Sequence, residues 1–164
     1  GHSSVDGQVI GGKFMNKYEV NNETMAVIGI EPNKTKIMEY QTDSILEENA
    51  YEVMDYSCCY FGSSYQGRVE GSKRMLGFNY KLPIIVEETR GIIFFPTTSP
   101  SSYDCIWLSL NSIDKVLGDS VGTRILFKNG KDLVIPISKL SIENQILRAS
   151  RLQCLLDSRK VEKS

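Results

Sequence analysis

Short apolar runs separated by turn residues fill the first part of the chain. Apolar and β-branched side chains cluster in residues 23–30, Pro32-Asn33 then marks a turn, and residues 35–40 alternate between polar and apolar side chains. This pattern predicts a β-hairpin. The acidic stretch that follows is ambiguous, and we expect a short loop and then a strand near residues 51–54.

The glycine-rich segment at residues 55–76 combines two conflicting patterns. Glycines stand at positions 62, 67 and 71, and each costs a helix about 1 kcal/mol relative to alanine. Apolar side chains nevertheless recur at three- and four-residue spacing, as on a helix face: Cys58, Phe61, Tyr65 and Val69. We interpret residues 57–66 as a helix, with a structured loop as the alternative.

Three further apolar runs predict strands. Residues 84–86 and residues 92–95 are continuously apolar and bounded by turn residues, as is typical of buried strands. Residues 105–110 form a similar run after a loop rich in Ser, Thr and Pro.

Residues 123–137 predict a second hairpin. Apolar side chains alternate with polar ones on both sides of Asn129-Gly130, a dipeptide suited to the positive φ angles of a type I′ turn. Because Pro136 cannot donate to a β-ladder, its strand is expected to lie at an edge or to end there.

The last predicted element is an amphipathic helix. Ser141 is placed to cap its first turn, where Glu143 complements the helix dipole. An apolar stripe follows at helical spacing: Ile142, Ile146, Ala149, Leu152, Leu155 and Leu156. Its first part is expected to cover the sheet, whereas residues 152–156 either continue the core or pair two subunits. The predicted fold class is α+β, an antiparallel β-rich sheet with a C-terminal amphipathic helix and a central helix.

Residues 1–14 resemble an expression-tag remnant, because they lack periodicity, are rich in Gly and Ser, and hold the only histidine, His2. We expect a native start at Met15 and a single domain over residues 15–164. No apolar run approaches the roughly 20 residues of a membrane helix. No secretory leader pattern follows Met15, so the expected compartment is the cytoplasm, without membrane contact.

The sequence lacks the residues that many catalytic and metal sites need. With no histidine beyond residue 2, Ser-His-Asp triads and Cys-His dyads are impossible. The residues from Gly62 to Val69 resemble a phosphate-binding loop, but Arg and Val stand where Lys and a hydroxyl residue are required. The cysteines show no zinc spacing and are expected to be buried thiols: Cys58, Cys59, Cys105 and Cys154. The sequence therefore predicts no enzyme, no metal site and no cofactor.

Charge is unevenly distributed, although the net charge is only −1. Residues 39–55 carry acidic and no basic side chains, whereas residues 68–81 and those from 148 onward are rich in Arg and Lys. Basic and small polar side chains beside glycines suit contact with phosphates; the alternative is a tight structural turn with ordinary surface charge. The candidate DNA contacts are Ser63, Ser64, Tyr65, Gln66, Arg68, Lys73, Arg74, Lys128, Lys131, Arg148 and Arg151.

Four blocks of the sequence resemble one protein family. They are SCCYFGSSYQGR at residues 57–68, KLPIIVEETRGIIFFPT at residues 81–97, CIWLSL at residues 105–110 and FKNGKDLVIPISKLSIENQILRA at residues 127–149. In content, order and spacing these blocks are similar to the ComK competence factors of Gram-positive bacteria.

The resemblance implies a transcription activator of DNA-uptake genes. It implies binding to paired A/T-rich boxes through the minor groove, as a homodimer or dimer of dimers, and control by an adaptor that delivers the factor to a Clp protease. No cofactor is implied. The family assigns no DNA contacts residue by residue, so the candidate contacts rest on charge and motif position.

One departure from the family pattern opens an alternative. Longer members carry a further C-terminal tail, associated with oligomerisation and adaptor control, whereas this sequence stops at Ser164. The chain is therefore either a truncated form or a shorter homologue. The alternative function is a protein-interaction module that binds a full-length factor or its protease adaptor.

Overall fold

The computed structural model describes residues 17–163, so the expected tag remnant at residues 1–14 lies outside the described residues. The strands form a six-stranded antiparallel sheet in the order β3-β2-β1-β6-β5-β4 and a three-stranded antiparallel sheet in the order β7-β8-β9. The strands are β1 (Thr24–Glu31), β2 (Lys34–Glu39), β3 (Asp43–Leu46), β4 (Ile84–Glu87), β5 (Ile92–Pro96), β6 (Ile106–Ser109), β7 (Ile113–Gly118), β8 (Thr123–Phe127) and β9 (Asp132–Ile135). The helices are α1 (Ala50–Tyr60), α2 (Tyr65–Leu76) and α3 (Lys139–Lys163), and a single 3₁₀ turn spans Leu110–Ser112. The α+β class is confirmed.

Both faces of the large sheet are buried. Ile92 and Phe94 of β5 join a core with α1 and the start of α2, whereas Ile93 and Phe95 join a second core with the small sheet and α3. Successive side chains of a strand point to opposite faces, so a strand buried on both sides must be apolar throughout. This is why the runs at residues 84–86 and 92–95 are continuous, and the strands predicted there are confirmed.

The strand expected at residues 51–54 is wrong, because α1 begins at Ala50. The Asn49 side chain accepts a hydrogen bond from the Tyr51 N–H at 2.9 Å, which caps the helix. Val53 and Met54 then lie on the buried side of α1. The local apolar pattern was too short to distinguish a strand from a helix.

The helix predicted at residues 57–66 is interrupted. The first helix ends at Tyr60, and Gly62 adopts φ +94, a left-handed conformation that favours glycine. The second helix begins at Tyr65 and contains Gly67 and Gly71. The segment is thus two helices joined by a turn, which combines the two alternatives offered by the sequence.

The hairpin at residues 123–137 is confirmed, but its predicted turn type is wrong. Gly130 adopts φ +92, whereas Asn129 does not have a positive φ. The Phe127 N–H bonds the Lys131 carbonyl at 2.8 Å, so the loop has three residues with glycine in the left-handed position. The strand β9 ends at Ile135 at the edge of its sheet, as Pro136 predicted.

The C-terminal helix is confirmed with a different cap. It begins at Lys139, and the Ser138 Oγ rather than Ser141 accepts the capping hydrogen bond, from the Ser141 N–H at 3.2 Å. Leu152 and Leu156 are buried in the core with the small sheet, so they are not free to pair subunits. No helix within residues 17–163 is long and apolar enough to span a bilayer.

The cysteines divide evenly between the interior and the surface. Cys58 and Cys105 are buried free thiols, as expected, whereas Cys59 and Cys154 are exposed, which corrects the expectation for those two. Burial raises the pKa of the Cys58 thiol to about 12, although the nearby Arg68 charge opposes that shift.

Candidate nucleic-acid interface

The turn between α1 and α2 is held together by its own side chains. The Ser64 Oγ accepts a hydrogen bond from the Gly67 N–H at 2.9 Å and caps α2. Tyr65 is 5% exposed, and its ring meets the ring of Trp107 edge to face at 5.5 Å. Ser64 and Tyr65 therefore belong to the helix cap and the core, while Ser63 is half-buried and Gln66 is exposed.

Arg68 points to the edge of the large sheet rather than to open solvent. Its guanidinium bonds Glu88 Oε2 at 3.1 Å and lies 3.5 Å from the Val86 carbonyl oxygen, and its side chain is only 16% exposed. The cleft above it, about 430 Å³, is lined by Phe61, Gly62, Ser63, Arg68, Glu87, Glu88 and Thr89. Because two carboxylates face this cleft, it is not a basic surface.

The last turn of α2 carries two basic residues that are more exposed than Arg68. Lys73 pairs with Glu70 at 3.3 Å. Arg74 is exposed and forms no ion pair with any residue from 17 to 163. Gly77 ends the helix with φ +83, and its N–H bonds the Lys73 carbonyl at 2.8 Å. The chain then turns directly into an exposed loop.

Arg148 anchors this loop, residues 78–82, to α3. Its guanidinium stacks on Phe78, with Cζ 3.9 Å from the ring centroid, and donates to the Tyr80 carbonyl at 2.7 Å. Gln145, 4% exposed, donates to the Lys81 carbonyl at 3.0 Å from the same helix. Arg148 thus fixes the loop to α3 through one stacking contact and a backbone hydrogen bond.

The anchored loop presents polar side chains that sequence reasoning missed. Asn79 is exposed, and Tyr80 is 64% exposed with the Lys81 ammonium 5.4 Å from its ring centroid. Lys81 has φ +48, unusual for a residue with a side chain. Arg151 is exposed on α3, three residues beyond Arg148 and so on the same side of the helix. The short stretch between Gly77 and Pro83, which includes Asn79 and Lys81, was the available signal. We name Arg74, Asn79, Tyr80, Lys81 and Arg151 the basic loop face.

The two lysines of the β8–β9 turn lie elsewhere. Lys131 bonds Asp43 Oδ1 at 3.4 Å and the Glu39 carbonyl at 3.3 Å, which joins the turn to the acidic end of β2 and β3. Lys128 is exposed on the same turn. The structure therefore places Lys73 and Arg74 in the last helical turn before the anchored loop and Arg148 in contact with that loop. It pairs Lys131 with a carboxylate and leaves Lys128 exposed on the same turn.

A model of the family described as "ComK protein" matches residues 15–161. The chain is 33% identical over 149 residues to the competence transcription factor of Bacillus subtilis (strain 168), an alignment that covers 88% of this chain and 78% of that protein. No solved structure matches the chain.

Proposed function

The chain belongs to the ComK protein family, and from this membership we propose that it activates competence genes by binding paired A/T-rich DNA boxes, largely through the minor groove. It is a competence transcription factor and not an enzyme. The observation that carries the proposal is the family match over residues 15–161. We propose that it acts in the cytoplasm as a homodimer or dimer of dimers, and that a Clp-protease adaptor controls it.

We propose that the basic loop face meets the DNA. Arg74 and Arg151 are exposed cations without carboxylate partners in the described chain, so both can bind phosphates without first breaking an ion pair. Asn79 and Tyr80 are exposed on the anchored loop that follows α2. The minor groove, about 6 Å wide, presents acceptors at every A·T pair, and proteins that read it commonly use Asn, Gln, Arg and Lys.

The other candidate contacts take supporting roles in this proposal. Arg148 positions the loop through its bonds to backbone carbonyls, and Ser64 and Tyr65 set the start of α2. Arg68 is held by Glu88. Ser63, Gln66 and Lys73 remain as flanking contacts. Lys128 and Lys131 form an alternative candidate surface for DNA at the β8–β9 turn.

Two double variants, each of which removes two positive charges, test whether the basic loop face or the β8–β9 turn binds DNA. One is Arg74→Ala with Arg151→Ala, and the other is Lys128→Ala with Lys131→Ala. Fluorescence anisotropy over a range of salt concentrations would compare a duplex carrying paired A- and T-runs with a G·C-rich duplex of equal length.

We expect the unaltered chain to prefer the A/T duplex and to lose affinity steeply as salt rises. Since each lost phosphate contact removes about 0.9 from the slope of log K against log salt, the first double variant should lower the slope by about 2. The second should change neither the slope nor the preference. The reverse result would move the interface to the β8–β9 turn. Absence of binding to either duplex at low salt would favour the protein-interaction module.

A further inference from the structure

The anchored loop leaves one aromatic ring in solvent. Tyr80 is 64% exposed, more than any other tyrosine among residues 17–163, and its hydroxyl has no hydrogen-bond partner within that range. Its neighbours on the loop are directed elsewhere, since the Phe78 ring stacks on the Arg148 guanidinium and Leu82 is 4% exposed. The loop thus uses Phe78 and Leu82 as anchors and leaves the ring of Tyr80 available to a partner.

The backbone that carries this ring is fixed on both sides. The Tyr80 carbonyl accepts a hydrogen bond from Arg148 at 2.7 Å, and the Lys81 carbonyl accepts one from the Gln145 amide at 3.0 Å. The same amide donates to the Pro96 carbonyl at 2.7 Å, which ties the loop to β5. These bonds hold Lys81 at φ +48, a left-handed conformation that is costly for a residue with a side chain. Because the loop is ordered in advance, binding through Tyr80 requires little further ordering of the backbone.

A tyrosine side chain has properties that suit contact with a narrow groove. It offers a large, flat contact area with only two rotatable bonds. Its hydroxyl, at the far end of the ring, can donate a hydrogen bond to an acceptor in the groove. The Lys81 ammonium lies 5.4 Å from the Tyr80 ring centroid. A positive charge therefore accompanies the ring, and it can bind the phosphates that border the groove.

The floor of the minor groove offers one group by which such a ring can distinguish base pairs. A·T and T·A pairs present only acceptors there, adenine N3 and thymine O2, whereas a G·C pair adds the amino group on guanine C2. This amino group stands on the floor of the groove and keeps an inserted ring away from the acceptors. A phenol that donates to N3 or O2 at A·T pairs therefore loses that contact at G·C pairs.

We infer that Tyr80 is a specificity-determining residue of the DNA contact. Its ring enters the minor groove edge first, donates its O–H to adenine N3 or thymine O2, and is excluded by the guanine amino group. The cations of the basic loop face supply affinity without selecting a sequence, because phosphate contacts carry no direct sequence information. Tyr80 supplies the preference for A·T pairs. This inference rests on the proposed function, since it requires that the basic loop face meets the DNA.

Three duplexes of equal length would test the inference by fluorescence anisotropy of the full chain. The first carries A- and T-runs, the second is G·C-rich, and the third replaces every guanine of the second with inosine, which lacks only the amino group. We expect the unaltered chain to bind the inosine duplex more tightly than the G·C-rich duplex. Tyr80→Ala should weaken binding to the A/T and inosine duplexes by about tenfold and to the G·C-rich duplex by less than about twofold. Because Tyr80→Ala removes no charge, the slope of log K against log salt should not change.

Two further variants separate the hydroxyl from the ring and the position from the residue type. Tyr80→Phe keeps the ring and removes the donor, so its loss of affinity for the A/T duplex should lie between those of the unaltered chain and Tyr80→Ala. Tyr60→Ala is the matched control, because Tyr60 is 58% exposed but precedes α2, whereas the anchored loop follows that helix. It should bind all three duplexes as the unaltered chain does.

The outcomes distinguish this inference from the proposed function. If Tyr80→Ala still prefers inosine to guanine as strongly as the unaltered chain, the inference is overturned and the DNA proposal stands. An equal loss of affinity on all three duplexes would also overturn it, because Tyr80 would then add affinity without selecting base pairs. Absence of binding by the unaltered chain to any duplex at low salt would overturn the proposed function and, with it, the role of Tyr80.

Discussion

At the scale of single residues, a close backbone approach at β1 depends on Gly29. A Cβ built at Gly29 would lie 1.8 Å from the carbonyl oxygen of Tyr103, and backbone cannot yield as a flexible side chain can. We expect Gly29→Ala to lower the free energy of unfolding by at least about 2 kcal/mol, measured by urea titration.

Gly71 supplies the matched control for Gly29. It lies inside α2, and a Cβ built there meets nothing within 4 Å. Gly71→Ala should raise the free energy of unfolding by about 0.5–1 kcal/mol, because alanine has less conformational entropy to lose in a helix. Equal effects of the two substitutions would contradict the close approach at β1.

At the scale of the element, α2 depends on a single side-chain cap. The Ser64 Oγ satisfies the Gly67 N–H, one of the donors that a helix start leaves unpaired. We expect Ser64→Ala to cost about 1 kcal/mol of stability and Ser64→Asp to cost little, since aspartate caps as well as serine. Thermal unfolding followed by far-UV circular dichroism would measure both.

Ser63→Ala is the control for the cap, because Ser63 is not the N-cap residue of α2. It should change stability by no more than about 0.5 kcal/mol. A larger loss for Ser63→Ala than for Ser64→Ala would show that the helix begins elsewhere. Weaker DNA binding with unchanged stability in Ser64→Ala would instead return Ser64 to the set of DNA contacts.

At the scale of the whole molecule, one sheet couples the two cores. Trp107 belongs to the core with α1, whereas its neighbour Leu108 on β6 belongs to the core with α3. Neither core can lose its packing without disturbing the strands that the other uses. We expect the chain to unfold in one cooperative transition.

The single tryptophan allows a direct measurement of this cooperativity. Trp107 fluorescence reports the core with α1, and far-UV circular dichroism reports all helices, including the long α3. The two urea curves should superimpose in midpoint and slope. Separate midpoints would show that α3 and the small sheet unfold on their own, and would contradict the expected single domain.

The sequence by itself determined the elements whose patterns are local. The runs at residues 84–86 and 92–95, the hairpin around Asn129-Gly130 and the stripe on α3 follow from periodicities of two or 3.6 residues, which a single segment contains. The start of α1 was predicted wrongly, because residues 51–54 fit either a strand or a helix until Asn49 caps the turn.

Only the tertiary structure decided which basic residues face solvent. Arg68 meets Glu88 across 20 residues of sequence, Arg148 meets the Tyr80 carbonyl across 68, and Lys131 meets Asp43 across 88. From the sequence these three cations are indistinguishable, but in the folded chain each one has a hydrogen-bond partner. The family resemblance indicated a competence transcription factor from sequence blocks alone. Which cations remain available for phosphates depends on contacts between residues far apart in the sequence, because an ion pair already formed lowers the charge left for phosphates.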